Sequence, residues 1–253
     1  MKVKKITLDD LDSTYCCVNE AHPGALWTKG LPEAREWFKA HLNNEVEGYH
    51  LFDGDKVVGF IYYSTSERAL VPYEIEPRVA CIYCTEILRD YKHKGNGKLM
   101  FDYVKTDLFT NRFKGIMVAA TDFKEWMYYE LFLKQKFQVI KECTPYKVMY
   151  FPLLQQNIDV SPLEINFTPM GDRIEITLFK HFFCPAGVYM YNLIKKVANK
   201  FEDKVNLIEM EATTHTMKKY GTIEPLINGK IKILGPTSEE EVIKSIQEEI
   251  DQF

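Results

Sequence analysis

The clearest chemical pattern in the chain lies in residues 87–100, which read I-L-R-D-Y-K-H-K-G-N-G-K-L-M. An apolar, β-rich run ends at Ile87, a basic loop with two glycines follows, and apolar residues at helical spacing come next. The order strand, glycine loop and helix builds an anion site, because the first turn of a helix leaves its N–H groups unpaired. Glycines let the backbone approach a ligand closely, and the lysines add positive charge. The segment therefore predicts an anion-binding site.

These residues resemble the acetyl-CoA loop of the GNAT N-acetyltransferases, Val-x-x-x-Tyr-(Gln/Arg)-x-x-Gly-x-(Gly/Ala). Ile87 stands at the valine, Tyr91 at the tyrosine and Lys92 at the Gln/Arg, and two glycines follow in register. The resemblance covers roughly residues 1–151 and implies acetyl-CoA as co-substrate. No metal is expected, because the adjacent Cys16 and Cys17 are poorly spaced to complete a zinc site with Cys81 and Cys84. The resemblance implies that the backbone of Ile87 binds the pantetheine beside a local splay of the sheet. It also implies that the pyrophosphate is held by the loop, Lys92, His93, Lys94, Gly95, Asn96, Gly97 and Lys98.

The residue that would donate a proton in this chemistry departs from the family pattern. A second GNAT signature, Leu-Tyr-x-Lys-x-Gly-Phe, has the counterpart L-F-L-K-Q-K-F at residues 131–137. The resemblance implies that the tyrosine protonates the departing thiolate, but Phe132 stands in its place and a phenyl ring carries no such proton. Lys136 stands at the glycine. Tyr128 and Tyr129, one helical turn earlier, are the candidate replacements, with ordinary packing as the alternative.

A carboxylate must also accept a proton from the acceptor ammonium before the amine can attack a thioester. Glu86 is the best placed, because it lies beside Ile87 at the end of the motif strand. Glu74 and Glu76, in the preceding segment, are its rivals. For each of the three, a solvated or ion-paired carboxylate is the alternative interpretation.

The elements that position these residues alternate between strands and helices. Predicted strands cover residues 3–8, 48–52, 56–63, 79–87, 114–121 and 146–151, with a hairpin turn at residues 53–55. One helix is predicted to begin at Leu31 and another to cover about residues 123–136. The helix after the glycine loop is predicted to bury Leu99, Tyr103, Val104 and Leu108. These elements predict an α/β (α+β) fold, a GNAT-like mixed sheet flanked by helices, in residues 1–154.

A proline-containing linker is predicted over residues 155–172, followed by a smaller domain over residues 173–253. There, strands are predicted at residues 173–180 and 205–210, a hairpin turns at residues 228–229, and a capping box of Thr237 and Glu240 starts the last helix. A helix opened by Cys184 runs to about Phe201. This order resembles the thioredoxin fold, with Pro225 at the place of the family's cis-proline.

Cys184 is a possible thiol site, because the N-terminus of a helix favours a thiolate and lowers its pKa. His181, three residues earlier, could polarise it, although a surface histidine is the more ordinary interpretation. Gly187 replaces the second cysteine of the usual C-x-x-C motif, so an intramolecular dithiol cycle is not expected. An inert thiol on a thioredoxin-like scaffold is the alternative to a redox-active one.

The other cysteines suggest packing rather than chemistry. Cys81 and Cys84 are spaced as C-x-x-C, but on a regular strand these positions point to opposite faces and suit neither a redox pair nor one metal. Cys84 shares strand parity with Glu86 and could line the acceptor pocket. The segments Y-C-C-V at residues 15–18 and I-Y-C at residues 82–84 resemble a GNAT subfamily whose C-terminal half is called the YoaP-like domain.

Composition sets the broad class. The chain has 253 residues, 46% of them hydrophobic, which favours a folded protein with a sizeable core. Its net charge of −4 does not indicate electrostatic binding to nucleic acid or to a membrane surface. No signal-peptide pattern opens the sequence, so a cytoplasmic protein is expected. The combined expectation is an N-acetyltransferase that transfers acetyl to a small-molecule or peptide amine by direct attack in a ternary complex. The alternative is a thiol-redox or binding module whose GNAT half only senses coenzyme A. Neither expectation specifies an oligomeric state.

Overall fold

A computed structural model describes the chain except for residues 21–23, 125, 169, 170 and 202 and the side chains of Asn19 and Glu20. The chain divides into two compact units. The first consists of Met1–Pro23, Lys39–Ala69 and Tyr73–Pro162, and the second of Gly24–Phe38, Leu70–Pro72 and Leu163–Phe253. Each unit is assembled from three separate segments of the sequence, whereas each predicted domain is one continuous segment.

The strands and helices are defined by the following bounds. The strands are β1 (Lys2–Lys5), β2 (Glu47–Asp53), β3 (Lys56–Thr65), β4 (Tyr73–Ile75), β5 (Val79–Ile87), β6 (Gly115–Thr121), β7 (Gln138–Cys143), β8 (Tyr146–Pro152), β9 (Val160–Pro162), β10 (Ile174–Lys180), β11 (Val205–Glu211) and β12 (Leu226–Ile227). The helices are α1 (Cys16–Glu20), α2 (Leu31–His41), α3 (Asn96–Thr110), α4 (Tyr129–Lys134), α5 (Pro185–Ala198), α6 (Thr214–Tyr220) and α7 (Glu239–Gln252). None of the helices within the described residues has the length and apolar composition needed to cross a bilayer.

The first unit is built on a seven-stranded mixed sheet in the order β1-β2-β3-β5-β6-β8-β7. Strands β5 and β6 are parallel and the other neighbouring pairs are antiparallel, with the predicted β2–β3 hairpin closing at Asp53 and Lys56. One face of the sheet carries α3 and α4 over the main core. On the opposite face, the hydroxyl of Tyr62 in β3 accepts the N–H of Tyr15, just before α1. The mixed α/β class predicted from the sequence is confirmed.

The centre of the sheet opens between β5 and β6. Their parallel pairing runs from Val79 and Gly115 to Ile82 and Val118, and β5 then continues to Ile87 along β3. The two strands therefore diverge over the last residues of β5. This is the local splay expected beside Ile87.

A β-bulge next to this opening corrects one expectation about the cysteines. Cys81 lies opposite Ser64 and Cys84 opposite Tyr62, with Tyr83 as the extra residue between them. Because Ser64 and Tyr62 are two residues apart on β3, both cysteines share one face. The prediction that they point to opposite faces assumed a regular strand and is wrong.

The helix after the loop buries a different stripe from the one predicted. In α3, Met100, Phe101, Val104 and Leu108 are buried, whereas Leu99 and Tyr103 are exposed. Met100, Val104 and Leu108 follow the helical period. Phe101 lies at the edge of this stripe, and its ring packs edge-on against the ring of Phe132. The core side of α3 therefore lies about one residue further along the chain than its sequence pattern suggests.

The helix predicted over residues 123–136 is shorter, covering only α4. Residue Tyr128 forms a bridge with Thr121, and the Thr121 hydroxyl accepts the N–H of Phe123 and donates to the Trp126 carbonyl. These bonds hold the segment before α4 in turns, so its backbone groups are not available for a longer helix.

The second unit is a three-stranded sheet in the order β11-β10-β12, with β11 parallel and β12 antiparallel to β10. Helices α5 and α7 form its core together with this sheet. Helix α7 is capped by Ser238, which accepts the N–H of Glu241, one residue after the predicted cap. The predicted hairpin is limited to β12 and one bridge from Ile227 to Lys230.

An N-terminal segment completes this second unit. Gly30 lies so close to α5 that a Cβ there would be 2.2 Å from the carbonyl oxygen of Pro185. The ring of Phe38 stacks on that of Phe183, with ring centroids 6.5 Å apart. Sequence proximity alone would have assigned Gly24–Phe38 to the first domain.

A buried histidine gives the first unit a pH-dependent stability. His50 in β2 is fully buried, and its Nε2 lies 3.0 Å from the Tyr62 hydroxyl. Burial lowers the pKa of His50 to about 4 from its ordinary value of 6.5. Between about pH 4 and pH 6.5, His50 is therefore mostly neutral in the folded protein but mostly protonated in the unfolded chain.

Between pH 6.5 and 4, the unfolded state binds more protons at this site, so the free energy of unfolding falls as the pH falls. We expect His50 to contribute a loss of about 3 kcal/mol across that window. Urea unfolding of wild type and His50→Leu at pH 7 and pH 4.5 measures it. The wild type should lose more stability than the variant, and equal losses would contradict the assignment.

Candidate functional site

The glycine loop between β5 and α3 is held in shape by its own side chains. After a 3₁₀ turn over Arg89–Tyr91, His93 and Gly95 adopt left-handed conformations with φ of 60° and 79°. The side chain of Asn96 is buried and donates to the carbonyl of Tyr91 over 2.9 Å. The Asn96 side chain is thus a clamp of the loop, which leaves its backbone N–H as the group available to a ligand.

The N-terminus of α3 presents open donor groups. Gly95 is its N-cap and supplies no side-chain cap, and the first helical bond runs from the N–H of Leu99 to the Gly95 carbonyl. The N–H groups of Asn96, Gly97 and Lys98 precede that bond and lie at the positive end of the helix dipole. A Cβ added at Gly97 would meet no atom within 4 Å, so the space beside this residue is open. These three N–H groups form a cradle of donors of the kind that can bind a pyrophosphate.

The basic side chains around the cradle are not equivalent. The ammonium of Lys92 lies 2.7 Å from Glu86 Oε1, and that of Lys98 pairs with Asp102 one turn along α3. The ammonium of Lys94 lies 5.9 Å from the ring centre of Tyr91. Both His93 and Lys94 are exposed, so their charges face solvent.

Ile87 ends β5 at the opening of the sheet. It lies opposite Gly59 in β3, where a Cβ would be 2.5 Å from Ile87 Cδ1. Glycine at position 59 therefore lets the two strands stay paired to the end of β5. The backbone N–H of Ile87 donates to Glu86 Oε1 over 3.1 Å.

The three candidate bases are in different environments. Glu86 is largely buried and holds both Lys92 and the N–H of Ile87. Glu76 accepts Lys114 at 2.6 Å, the Gln155 amide and the Asp159 N–H, and these contacts, led by Lys114, lower its pKa to about 2. Glu76 therefore fixes the segment after β8 and is unsuited to accept a proton.

Glu74 is exposed in β4, a short strand that pairs with β9. That pair lies in a two-stranded sheet separate from the one that carries β5. Glu86 is the carboxylate at the opening beside Ile87.

The second signature occupies α4 and the turn after it. Phe132 is buried in the core, with its ring centre 5.6 Å from that of Phe137. Lys136 has a φ of 66°, in the left-handed region that favours the glycine of the signature. The tyrosine position of the signature, Phe132, is a core residue here.

The two candidate tyrosines lie in different surroundings. A hydrogen bond to the Glu130 carboxylate raises the pKa of Tyr128 to about 12. The proton that Tyr128 would have to donate is therefore engaged by Glu130. Tyr129 is partly buried against the same core cluster as Ile87, with Lys147 Nζ 5.2 Å from its ring centre. Tyr129 is the better candidate of the two.

Cys184 departs from the expectation of an activated thiol. It is the N-cap of α5, but its side chain makes no capping hydrogen bond. Burial raises the pKa of the Cys184 thiol, and the nearby backbone N–H groups of Ala186 and Gly187, which lower it, offset the effect only in part. Among the described residues, the only cis peptide bond is the one between Thr144 and Pro145. The bond before Pro225 is therefore trans, unlike the bond before the cis-proline of the thioredoxin fold. Three or more metal-binding side chains do not converge anywhere in the described part of the chain.

Alkylation of Cys184 should therefore be slow at neutral pH. Its rate with iodoacetamide, followed peptide by peptide in the full chain, should reach half of its maximum above the ordinary thiol pKa of about 8.5. The urea-unfolded chain supplies the matched control at the same cysteine. A midpoint below 8.5 in the folded protein would restore the reactive-thiolate interpretation.

One contact of the site was missed by reasoning from the sequence. Glu86 and Lys92 were both singled out, one as a base and the other as a phosphate ligand, but their mutual ion pair was not foreseen. The six-residue separation spans a strand end and a turn, and no periodic rule brings such positions together. The opposite charges on either side of the turn at Arg89–Tyr91 were the only signal.

Comparison with known proteins bears on the first unit. Residues 11–131 match the model of the acetyltransferase (GNAT) family, a range that contains β5, the loop, α3 and both candidate tyrosines. This part of the chain is a GNAT acetyltransferase domain. No curated protein sequence matches the chain.

Several solved structures of N-acetyltransferases resemble the chain at low identity. The ribosomal-protein-S18-alanine N-acetyltransferase of Escherichia coli is 12% identical over 62% of this chain and 96% of its own, with a TM-score of 0.42. A PaiA N-acetyltransferase from Thermoplasma acidophilum, in complex with coenzyme A, is 12% identical over 60% and 99%, with a TM-score of 0.42. Mutant forms of a spermidine/spermine N-acetyltransferase from Vibrio cholerae are 14% identical over 60% and 94%, with a TM-score of 0.42.

Proposed function

We propose that this chain is an N-acetyltransferase that transfers the acetyl group of acetyl-CoA directly to an amine in a ternary complex. The observation that carries the proposal is the open cradle at the N-terminus of α3, next to the point where β5 and β6 diverge. The match of residues 11–131 to the acetyltransferase (GNAT) family supports it. The acceptor is a small-molecule or peptide amine, and the cytoplasmic location expected from the sequence stays a prediction.

In this proposal the loop binds the donor. The N–H groups of Asn96, Gly97 and Lys98 hold the pyrophosphate, and Lys92, His93 and Lys94 surround it with positive charge. The backbone of Ile87 hydrogen-bonds to the pantetheine in the opening of the sheet. Acetyl-CoA supplies a thioester carbonyl that an amine can attack.

Two side chains handle the protons of the transfer. Glu86 accepts a proton from the acceptor ammonium, which frees the nitrogen lone pair to form the new bond to the acetyl carbon. The bond from that carbon to sulfur breaks, and Tyr129 donates its proton to the departing thiolate. The nitrogen loses its remaining extra proton to solvent as the amide forms, and Tyr129 regains a proton from solvent. We choose Tyr129 over Tyr128 because the hydroxyl of Tyr128 is bound to Glu130.

We also propose that the second unit is a thioredoxin-like, YoaP-like domain with a binding role. The order β10-α5-β11-α6-β12-α7 supports this fold. The raised pKa of Cys184 argues against a thiol-redox function, so that alternative has no observation in its favour.

The proposal is tested by incubating the full chain with acetyl-labelled acetyl-CoA and a panel of amines. The panel holds polyamines, aminoglycosides, amino acids and peptides with free N-termini, and mass spectrometry detects the acetylated product. We expect transfer to at least one class and none to its N-blocked analogue. Tight binding of coenzyme A without turnover by any amine would instead favour the CoA-sensing alternative.

A further inference from the structure

One oxygen atom occupies the meeting point of two donor groups in the candidate site. Glu86 Oε1 lies 2.7 Å from Lys92 Nζ and 3.1 Å from the backbone nitrogen of Ile87. Both groups therefore lie within about 6 Å of each other and point at the same place. The proposed function assigns both of them to the donor, Lys92 to its pyrophosphate and Ile87 to its pantetheine.

The side chain of Glu86 and the donor cannot use these groups at the same time. A backbone N–H makes one good hydrogen bond, and an ammonium committed to a carboxylate has less charge to offer a phosphate. The carboxylate itself also repels an incoming polyphosphate. The Lys92 side chain is about half exposed, with 47% of its surface accessible, so it can turn from one partner to the other.

We infer that Glu86 is an internal competitor that occupies two of the donor-binding groups, Lys92 and the Ile87 N–H, until acetyl-CoA displaces it, and that this displacement frees it to act as the base. While Glu86 Oε1 accepts hydrogen bonds from both Lys92 and the Ile87 N–H, that oxygen is occupied and is not free to take a proton from an acceptor. Once the donor has taken both groups, Glu86 is released next to the thioester and accepts the proton of the acceptor ammonium. Donor binding therefore precedes formation of the reactive amine. This inference rests on the proposed function.

Calorimetric titration of coenzyme A into the full-length wild type and Glu86→Gln tests the competition. The amide keeps the shape but loses the charge that binds Lys92, so we expect Glu86→Gln to bind coenzyme A about five- to tenfold more tightly. With an acceptor found in the amine panel, the same variant should show a kcat lowered by at least tenfold and a lower KM for acetyl-CoA. A residue with a merely structural role would not improve donor binding while slowing turnover.

Two control variants separate competition from simple loss of negative charge. Asp90 is an exposed carboxylate in the turn before the loop, and Asp90→Asn should change the affinity less than twofold. In a Lys92→Met background, Glu86→Gln should lose most of its gain, because one of the two contested groups is then absent.

The outcomes distinguish the competition by Glu86 from the proposed acetyltransferase function. Equal or weaker coenzyme A binding by Glu86→Gln, or an equal gain in Asp90→Asn, would overturn the competition while leaving the proposed function in place. Failure of the wild type itself to bind coenzyme A would overturn the proposed function.

Discussion

Replacing Gly97 with leucine is expected to weaken coenzyme A binding by about 10- to 100-fold, while the free protein stays as stable as wild type. A Cβ at Gly97 meets no atom within 4 Å, and leucine is a better helix former than glycine. The cost therefore arises only when a ligand needs that space. Calorimetric titration measures the affinity, and a thermal melt of the free protein measures its stability.

Gly187 supplies a matched control for this variant. It lies in the first turn of α5, is exposed, and has only the His181 carbonyl oxygen within 4 Å of an added Cβ, at 3.9 Å. Gly187→Leu should bind coenzyme A as the wild type does. Wild-type affinity in Gly97→Leu would show that the cradle at α3 is not the donor site.

Replacing Tyr129 with phenylalanine is expected to lower kcat by about 100-fold, with little change in KM for acetyl-CoA. The change removes only a hydroxyl, so the packing of the ring against the core cluster is kept. The proton that the departing thiolate needs is then missing, whereas the groups that bind the donor remain. Steady-state kinetics with the best amine of the panel provide the measurement.

Tyr128→Phe is the control, because the two tyrosines are adjacent and the Tyr128 hydroxyl is bound to Glu130. The hydroxyl of Tyr128 is held by Glu130 and its pKa is raised to about 12, so its loss should change kcat less than twofold. A large loss in Tyr128→Phe with none in Tyr129→Phe would reverse the assignment. Wild-type rates in both variants would remove tyrosine from the mechanism.

The shape of the glycine loop could be predicted from the sequence because its determinants are local. Gly95 and Gly97, the lysines and the helix that follows are adjacent in the chain, so their types and spacing describe the cradle directly. The splay beside Ile87 was likewise foreseen, but from the resemblance to a family. Even here the side chain of Asn96 binds the loop itself, and spacing does not reveal such a contact.

The parts that the sequence missed depend on tertiary contacts. The bulge at Tyr83 places Cys81 and Cys84 on one face, which strand alternation cannot predict. The helix N-terminus was expected to lower the pKa of Cys184, but burial has the larger effect and burial is set by the fold. Gly30 marks a close approach to Pro185 that brings an N-terminal segment into the second unit.

The most direct test of the central claim is a titration of coenzyme A into the isotope-labelled full chain, followed by the shifts of backbone amides. The account predicts the largest shifts at Asn96, Gly97 and Lys98, with a further shift at Ile87 as its N–H exchanges Glu86 for the ligand. No shift at millimolar coenzyme A, or shifts confined to other parts of the chain, would contradict a donor site at this loop.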